Sequence, residues 1–525
     1  MMSDPAEAID GLRRTWSLDF RSVARVLARL AEPAAIADLV AASGLPRRNV
    51  EAVLGELAPF LESHGEHHRL PAGAPVEPPP VGPQELTERM AELAAGLPPS
   101  RWRLDHVPAT PGTMARRALH LASEYALDGA SVLCLGDHDL TSLAVASVEP
   151  GAQLAVVDID DRILDHIGES AAGLGLAVTA AWADLRLCLP PSLAGTADLV
   201  FTDPPYTTEG MRLFLVRALE ALRPTGHERI AFCFGTGERH LVKALEVQAV
   251  LGELRLALEA MLPGFNRYAG AEAIGARSDL YICRPATGAR VGEPPRRSAR
   301  AGPRIYTRGP SALESLPRTV PEAVAGAALA AAGDGPAVLV GDGWDGPAVS
   351  LPDYFRRVAA WATAARPGPF PFSGVPVVNT HPDSGAAALR TLLVAAPERA
   401  VLIVPRRHLD DLTLPMLAVA YDIATVPAGP GGDPAVVSAV RHDRAPAGEG
   451  EAVLRHVVLH PGAKVANAWR DGLLAVARAA GRPMTKNEAR ARIAEAAAST
   501  ALPPLRTWEL PASTLRRLAA AILAP

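Results

Sequence analysis

Lysine is nearly missing from this chain. Lys243, Lys464 and Lys486 are three among 52 basic residues, so arginine carries almost all the positive charge. Against 57 acidic residues the formal net charge is −5, so there is no general attraction to a polyanion. Nucleic acid therefore stays possible as a partner but is not favoured. Cysteine is also scarce. Cys134, Cys188, Cys233 and Cys283 lie far apart and mostly within apolar runs, which fits neither a disulfide framework nor a CxxC metal site. No metal is expected, and a reducing cytoplasm is the simplest compartment. Long uninterrupted apolar runs are absent, since Arg, Asp, Pro or Gly breaks each one before membrane-spanning length, and no apolar core follows a basic N-terminal flank. Neither export nor a membrane span is expected.

What the chain does have is length and proline. At 525 residues it exceeds one ordinary core, and proline-rich stretches at 71–83 and 286–303 divide it. Apolar residues at helical spacing in FRSVARVLARL, PAAIADLVAASG and PRRNVEAVLGELAPFL predict three short helices over 20–63, with Gly44 as a stop. SHGEHHRLPAG then reads as a hairpin, giving a winged-helix pattern with Arg47, Arg48 and Asn49 opening the third helix. The same pattern also suits a small domain that docks on a neighbour, and the Glu-rich flank favours docking. ELTERMAELAAGL (85–97) is an amphipathic helix leading into the middle region.

From 130 to 285 the pattern alternates. ASVLCLG, AQLAVVD, LAVTAAW, ADLVFTD and RIAFCFG, with DLYICR last, read as strands separated by helices, the signature of a doubly wound α/β sheet of Rossmann-like type. Ligands in such sheets gather at the carboxyl ends of the strands. Beyond 304, PAVLVG, VPVVNT and AVLIVP alternate with helices, and three helices close the chain after Pro461. The expected divisions are 1–75, winged-helix-like; 84–285, Rossmann-like; and 304–525, a further α/β region. GDGWDG (341–346) and NTHPDSG (379–385) read as ordinary turns.

The first strand ends in Gly136-Asp137-His138-Asp139 before a helix. A glycine there lets backbone approach a ligand, while two aspartates would repel a pyrophosphate and so favour a cationic sulfonium nucleoside. Asp158, at the end of the second strand, stands where this fold places a carboxylate that accepts ribose hydroxyls. Asp184, past the third, is positioned to read an adenine edge. Asp203-Pro204-Pro205-Tyr206 follows the fourth strand. Two prolines fix that turn and remove its backbone donors, leaving acid and carbonyl oxygens to hold a nitrogen nucleophile, with Tyr206 as an apolar or cation–π wall.

Six segments in order, LDHVPATPGTMARRA (104–118), CLGDHDLTSLAVA (134–146), VVDIDDRILDHI (156–167), ADLRLCLP (183–190), FTDPPYTTEGMRLFLVRALEAL (201–222) and NRYAGAEAIGARSDLY (266–281), resemble the branched-chain polyamine synthases, or N(4)-bis(aminopropyl)spermidine synthases. The resemblance covers about Leu104 to Arg284, extends to the N-terminal unit, and leaves 304 onward unmatched. It implies a class I methyltransferase-like fold, decarboxylated S-adenosylmethionine as co-substrate, and transfer of its aminopropyl group to the secondary amine of spermidine, with methylthioadenosine released. A homodimer is expected. In this role Asp139 would bind and deprotonate the acceptor amine, Asp203 and the proline carbonyls would orient it, and Tyr206 would flank the reacting centre. Asp137 would neutralise the donor's ammonium, Asp158 would hold ribose and Asp184 adenine; Glu209 or Asp279 would hold a distal ammonium. The family loop usually reads Gly-Asp-Asp-Asp, so His138 here removes one fixed negative charge.

Two other functions share parts of this pattern. DPPY in this position also suits an S-adenosylmethionine-dependent methyltransferase acting on an exocyclic amine of a flipped base. A DNA-binding sensor with a degenerate site is the third.

Overall fold

The computed structural model describes residues 4–70, 82–235, 241–269, 276–286, 305–308, 312, 319–365, 368–380, 386–428, 433–497 and 502–524. The N-terminal elements are α1 (Pro5–Trp16), α2 (Phe20–Arg29), β1 (Ala34–Ala35), α3 (Ile36–Ser43), α4 (Arg47–Leu57), β2 (Glu62–His64) and β3 (His67–Arg69). The three expected helices are α2, α3 and α4, and Gly44 closes α3 at φ +71°. The hairpin pairs His64 with His67, and β1 joins it in the order β1-β3-β2. Helix α1 was not anticipated, because only Ala8 and Leu12 of its length are buried. These elements share a core from Ala8 to Leu70.

The middle region contains α5 (Pro83–Ala95), α6 (Pro111–Glu124), β4 (Ser131–Leu135), α7 (Thr141–Val148), β5 (Gln153–Asp158), α8 (Asp161–Leu174), β6 (Val178–Trp182), β7 (Leu199–Thr202), α9 (Thr208–Ala221), β8 (Arg229–Phe234), α10 (Leu241–Glu253), β9 (Leu256–Arg267) and β10 (Arg277–Pro285). The sheet runs β6-β5-β4-β7-β8-β10-β9. Its first five strands are parallel, and β10 lies antiparallel to both β8 and β9. All six expected strands are present. Strand β9 is an addition: it sits at the sheet edge, has only two of its twelve residues buried and contains Pro263, so it lacks the apolar run that marks a central strand. Strand order reverses at β4, whose neighbours β5 and β7 leave in opposite directions, and this opens a crevice at their carboxyl ends.

The C-terminal elements are α11 (Glu322–Ala332), β11 (Ala337–Val340), α12 (Leu351–Thr363), β12 (Val375–Asn379), α13 (Ala386–Ala395), β13 (Arg399–Val404), α14 (Pro415–Ala418), β14 (Tyr421–Val426), β15 (Ala435–Arg441), α15 (Glu449–Leu459), α16 (Val465–Ala479), α17 (Lys486–Ala496) and α18 (Ala512–Leu523). A second sheet, β11-β12-β13-β15-β14, is parallel through β13 and antiparallel beyond it. This region packs on the β6 side of the middle sheet. Buried Arg390 lies 3.6 Å from Asp161 and covers the Trp182 ring at 4.5 Å, and the Ala512 amide donates to Asp161 at 2.8 Å. The N-terminal elements dock near the amino ends of the strands instead, where Asp19 pairs with Arg229 at 2.9 Å. The segments 71–81, 287–304 and 381–385, which hold most of both proline-rich stretches and of NTHPDSG, lie outside the described residues.

Candidate active site

A cavity of about 840 Å³ opens at the carboxyl ends of β4, β5, β6 and β7. Gly136, Asp139, Asp158, Asp184, Asp203, Pro204, Pro205 and Tyr206 all line it, so eight of the nine expected site residues meet there. Gly136 adopts φ +68°, where a side chain is strained, and its amide donates to Val157 O at 2.8 Å. Asp137 is the ninth and turns away. Its two carboxylate oxygens accept the Thr141 and Ser142 amides at 2.8 and 3.1 Å, capping α7 rather than facing a donor's ammonium. Burial pushes its carboxyl up to about 7 against those hydrogen bonds. The Asp137 amide in turn donates to Asp158 at 3.1 Å, tying the ends of β4 and β5 together. Asp158 also accepts the Asp160 amide at 2.8 Å, and burial raises it to about 6.

The centre of the site is an ion cluster around Arg117, which is fully buried on α6. Its guanidinium donates to Asp139 at 2.8 Å, Asp203 at 2.6 Å and Asn266 Oδ1 at 2.8 Å. Asp139 takes a further bond from the Ala109 amide at 2.7 Å. Asp203 accepts the Tyr268 hydroxyl at 2.7 Å and the Tyr206 hydroxyl at 3.0 Å. Burial raises the Asp203 carboxyl to about 6, with Arg117 opposing and nearby Asp139 adding to the rise. Both phenols are held well above the ordinary range by burial and by the Asp203 charge, so they remain donors. The two prolines divide their roles: the Pro205 carbonyl accepts the Thr207 amide at 2.8 Å inside the turn, while Pro204 O accepts no hydrogen bond from a described residue.

At the β6 end, Arg186 donates to both oxygens of Asp184, at 2.9 and 2.7 Å, so the expected adenine reader is already ion-paired. Tyr306 packs against that guanidinium at 5.5 Å. Ile305, Tyr306, Thr307 and Arg308 form a strap that walls the cavity. Buried Thr207 donates to Ile305 O at 2.6 Å, and the Thr307 amide and hydroxyl donate to the two oxygens of Asp105 at 2.7 and 2.6 Å. Gly210 permits the docking, because a Cβ there would meet Ile305 O at 2.9 Å.

Next to Asp139, the imidazoles of His138 and His106 lie in tilted contact, centroids 4.5 Å and ring planes 34° apart, and both line the cavity. Burial lowers His138 to about 4 and His106 to about 3, so both are neutral near pH 7. Glu209 and Asp279, expected as outer ammonium sites, do not line the cavity; Glu209 is exposed and Asp279 accepts the Gly264 amide at 2.6 Å. Among the described residues no group of three or more potential metal ligands occurs, and no helix is long and apolar enough to cross a membrane.

Sequence reasoning assigned no role to Arg117, Tyr268 or the strap. Arg117 had a signal: it is three residues from Met114 and four from Leu121, an arginine on the buried face of α6. Tyr268 follows the edge strand, and 305–308 have no periodicity to read.

Residues 85–282 match the family described as the branched-chain polyamine synthase A C-terminal domain. An uncharacterized protein of Methanocaldococcus jannaschii is 37% identical over 171 residues, 33% of this chain and 43% of that protein. The N(4)-bis(aminopropyl)spermidine synthase of the same organism is 33% identical over 189 residues, 35% of this chain and 53% of the relative. The enzyme of the same name from Thermus thermophilus is 33% identical over 193 residues, 35% of this chain and 54% of the relative. The chain thus spans about half the length of the curated relatives it matches. A solved structure of the Thermus thermophilus branched-chain polyamine synthase, in complex with N4-aminopropylspermidine and 5'-methylthioadenosine, is 25% identical, with a TM-score of 0.35 over 54% of this chain and 92% of that one.

Proposed function

We propose that the protein is an aminopropyltransferase that carries the aminopropyl group of decarboxylated S-adenosylmethionine to an amine of a spermidine-like polyamine, a reading supported by the match of residues 85–282 to the branched-chain polyamine synthase family. The observation that carries this reading is the Asp139–Arg117–Asp203 cluster beside the DPPY turn, inside a cavity large enough for a nucleoside and a slender amine.

In the proposed step the acceptor nitrogen first gives up a proton. Its lone pair attacks the methylene carbon bonded to the sulfonium. The C–N bond forms as the C–S bond breaks, and the electron pair stays on sulfur, which leaves as the neutral thioether methylthioadenosine. Little covalent chemistry falls to the protein, so alignment supplies most of the rate. Asp203, with its carboxyl raised to about 6, is poised to accept that proton near neutral pH. Asp139 and Pro204 O hold the amine, and Tyr206 and Tyr268 fix the Asp203 carboxylate. Arg117 offsets the charge of two buried acids without touching substrate. Asp158 holds the ribose.

Residues 1–75 are proposed as a winged-helix-like unit, 84–285 as the catalytic domain and 304–525 as a further α/β domain, with two chains forming a homodimer that light scattering would detect. The position of the N-terminal elements, at the strand ends away from the cavity, weighs against base methylation on a duplex held by that unit. The test is mass spectrometry after incubation with spermidine and decarboxylated S-adenosylmethionine. An aminopropyl increment, lost in Asp139→Asn and Asp203→Asn, supports the proposal; methylation by ordinary S-adenosylmethionine, or no product, overturns it.

A further inference from the structure

The first loop looks acid-rich in sequence, yet neither of its acids stands in the cavity as a free charge. Asp137 caps α7, and Asp139 is paired with Arg117. What the loop adds to the cavity wall beside Asp139 is the His138 ring, 8% exposed and in tilted contact with His106. The buried Nδ1 atoms of both rings have no hydrogen-bond partner among the described residues. His138 Nε2 lies 3.3 Å from Ser100 Oγ, which fastens the ring on its other side. The charged groups acting on this pair are Asp160, Arg101 and Arg162. Asp160 is fully buried and paired with both arginines, at 3.4 Å to Arg101 and 2.6 Å to Arg162, so its charge is compensated behind the rings.

We infer that this corner of the cavity receives a carboxylate, and that the enzyme uses S-adenosylmethionine that has kept its carboxyl group as a donor of the 3-amino-3-carboxypropyl chain. This rests on the chain-transfer reading proposed above and extends its donor class. An acid at position 138 would repel the donor's carboxylate. A neutral imidazole pair, its acid neighbour Asp160 compensated by two arginines and its Nδ1 atoms unpartnered, does not, and each ring offers an N–H. The bond changes match those of aminopropyl transfer. The acceptor nitrogen attacks the methylene on sulfur, the C–S pair stays on sulfur, and the acceptor's proton passes to Asp203, with the carboxylate a spectator separated from the reacting methylene by two carbons.

The decisive quantity is the ratio of affinities for the two donors, measured by calorimetry on the full chain for wild type, His138→Asp and His138→Asn. His138→Asp is expected to shift this ratio about tenfold against S-adenosylmethionine, the scale of one like charge at a partly buried site. His138→Asn keeps the site neutral and is expected to hold the ratio within about threefold. Mass spectrometry with spermidine should show the carboxylated chain transferred by wild type. An unchanged ratio in His138→Asp, an equal shift in His138→Asn, or transfer by wild type from the decarboxylated donor alone would each overturn the inference. Failure of the underlying reading has a different signature, methyl transfer with no chain transfer from either donor, and it would remove both.

Discussion

Replacing Arg117 with methionine removes the only cation bonded to Asp139 and Asp203 among the described residues while keeping an unbranched apolar stem in its place. The guanidinium is fully buried, and the side chains of its partners are only 8% and 13% exposed, so water cannot take over its role without opening the site. Breaking a buried pair by removing one partner typically costs about 3–5 kcal/mol, most of it the penalty of an uncompensated charge. That cost should depend on pH. Burial already raises Asp203 to about 6, and without Arg117 it must rise further. The folded variant then holds a proton that the unfolded chain has released, so its stability grows as pH falls and shrinks as pH rises through the folded-state value. Thermal unfolding of wild type and Arg117→Met between pH 5 and pH 8 should therefore show a deficit that is largest at pH 8. Adding Asp203→Asn to Arg117→Met removes one orphaned charge and should recover about 1–2 kcal/mol at neutral pH. A deficit below about 1 kcal/mol, or one flat across that range, would refute the account of the cluster.

Three further outcomes follow from the same geometry. Turnover should fall as pH drops through about 6, because Asp203 must be unprotonated to take the amine's proton, and a kcat profile reads this directly; a profile flat to pH 5 would exclude that role. Tyr306→Ala should raise the KM for the nucleoside donor about tenfold, the scale of a lost aromatic contact, and Tyr306→Phe should not, since the ring against Arg186 is retained. Lys243 lines the cavity and forms no ion pair among the described residues. For a polycationic acceptor, Lys243→Met should lower the acceptor KM about threefold through relieved repulsion, whereas a higher KM would identify an acceptor with an anionic end.

Legibility followed physical range. Strands with continuous apolar runs, such as Ser131–Leu135 and Arg229–Phe234, announce themselves because a parallel strand buries both faces. The carboxylates at their ends were equally visible, since a doubly wound sheet delivers those positions to one crevice. What those carboxylates do there was less visible. Asp137 and Asp184 look as available in sequence as Asp158, and only the folded chain reveals one as a helix cap and the other as a partner of Arg186.

Local pattern by itself determined the middle sheet, the crevice and the identity of the acids around it, because strand periodicity and turn chemistry act over a few residues. Tertiary structure alone decided the electrostatic state of the site. Arg117 reaches Asp203 across 86 positions, Tyr268 across 65, and Thr307 reaches Asp105 across 202. Charge compensation depends on distance through space, and no local signal in a sequence encodes which buried arginine will face which carboxylate.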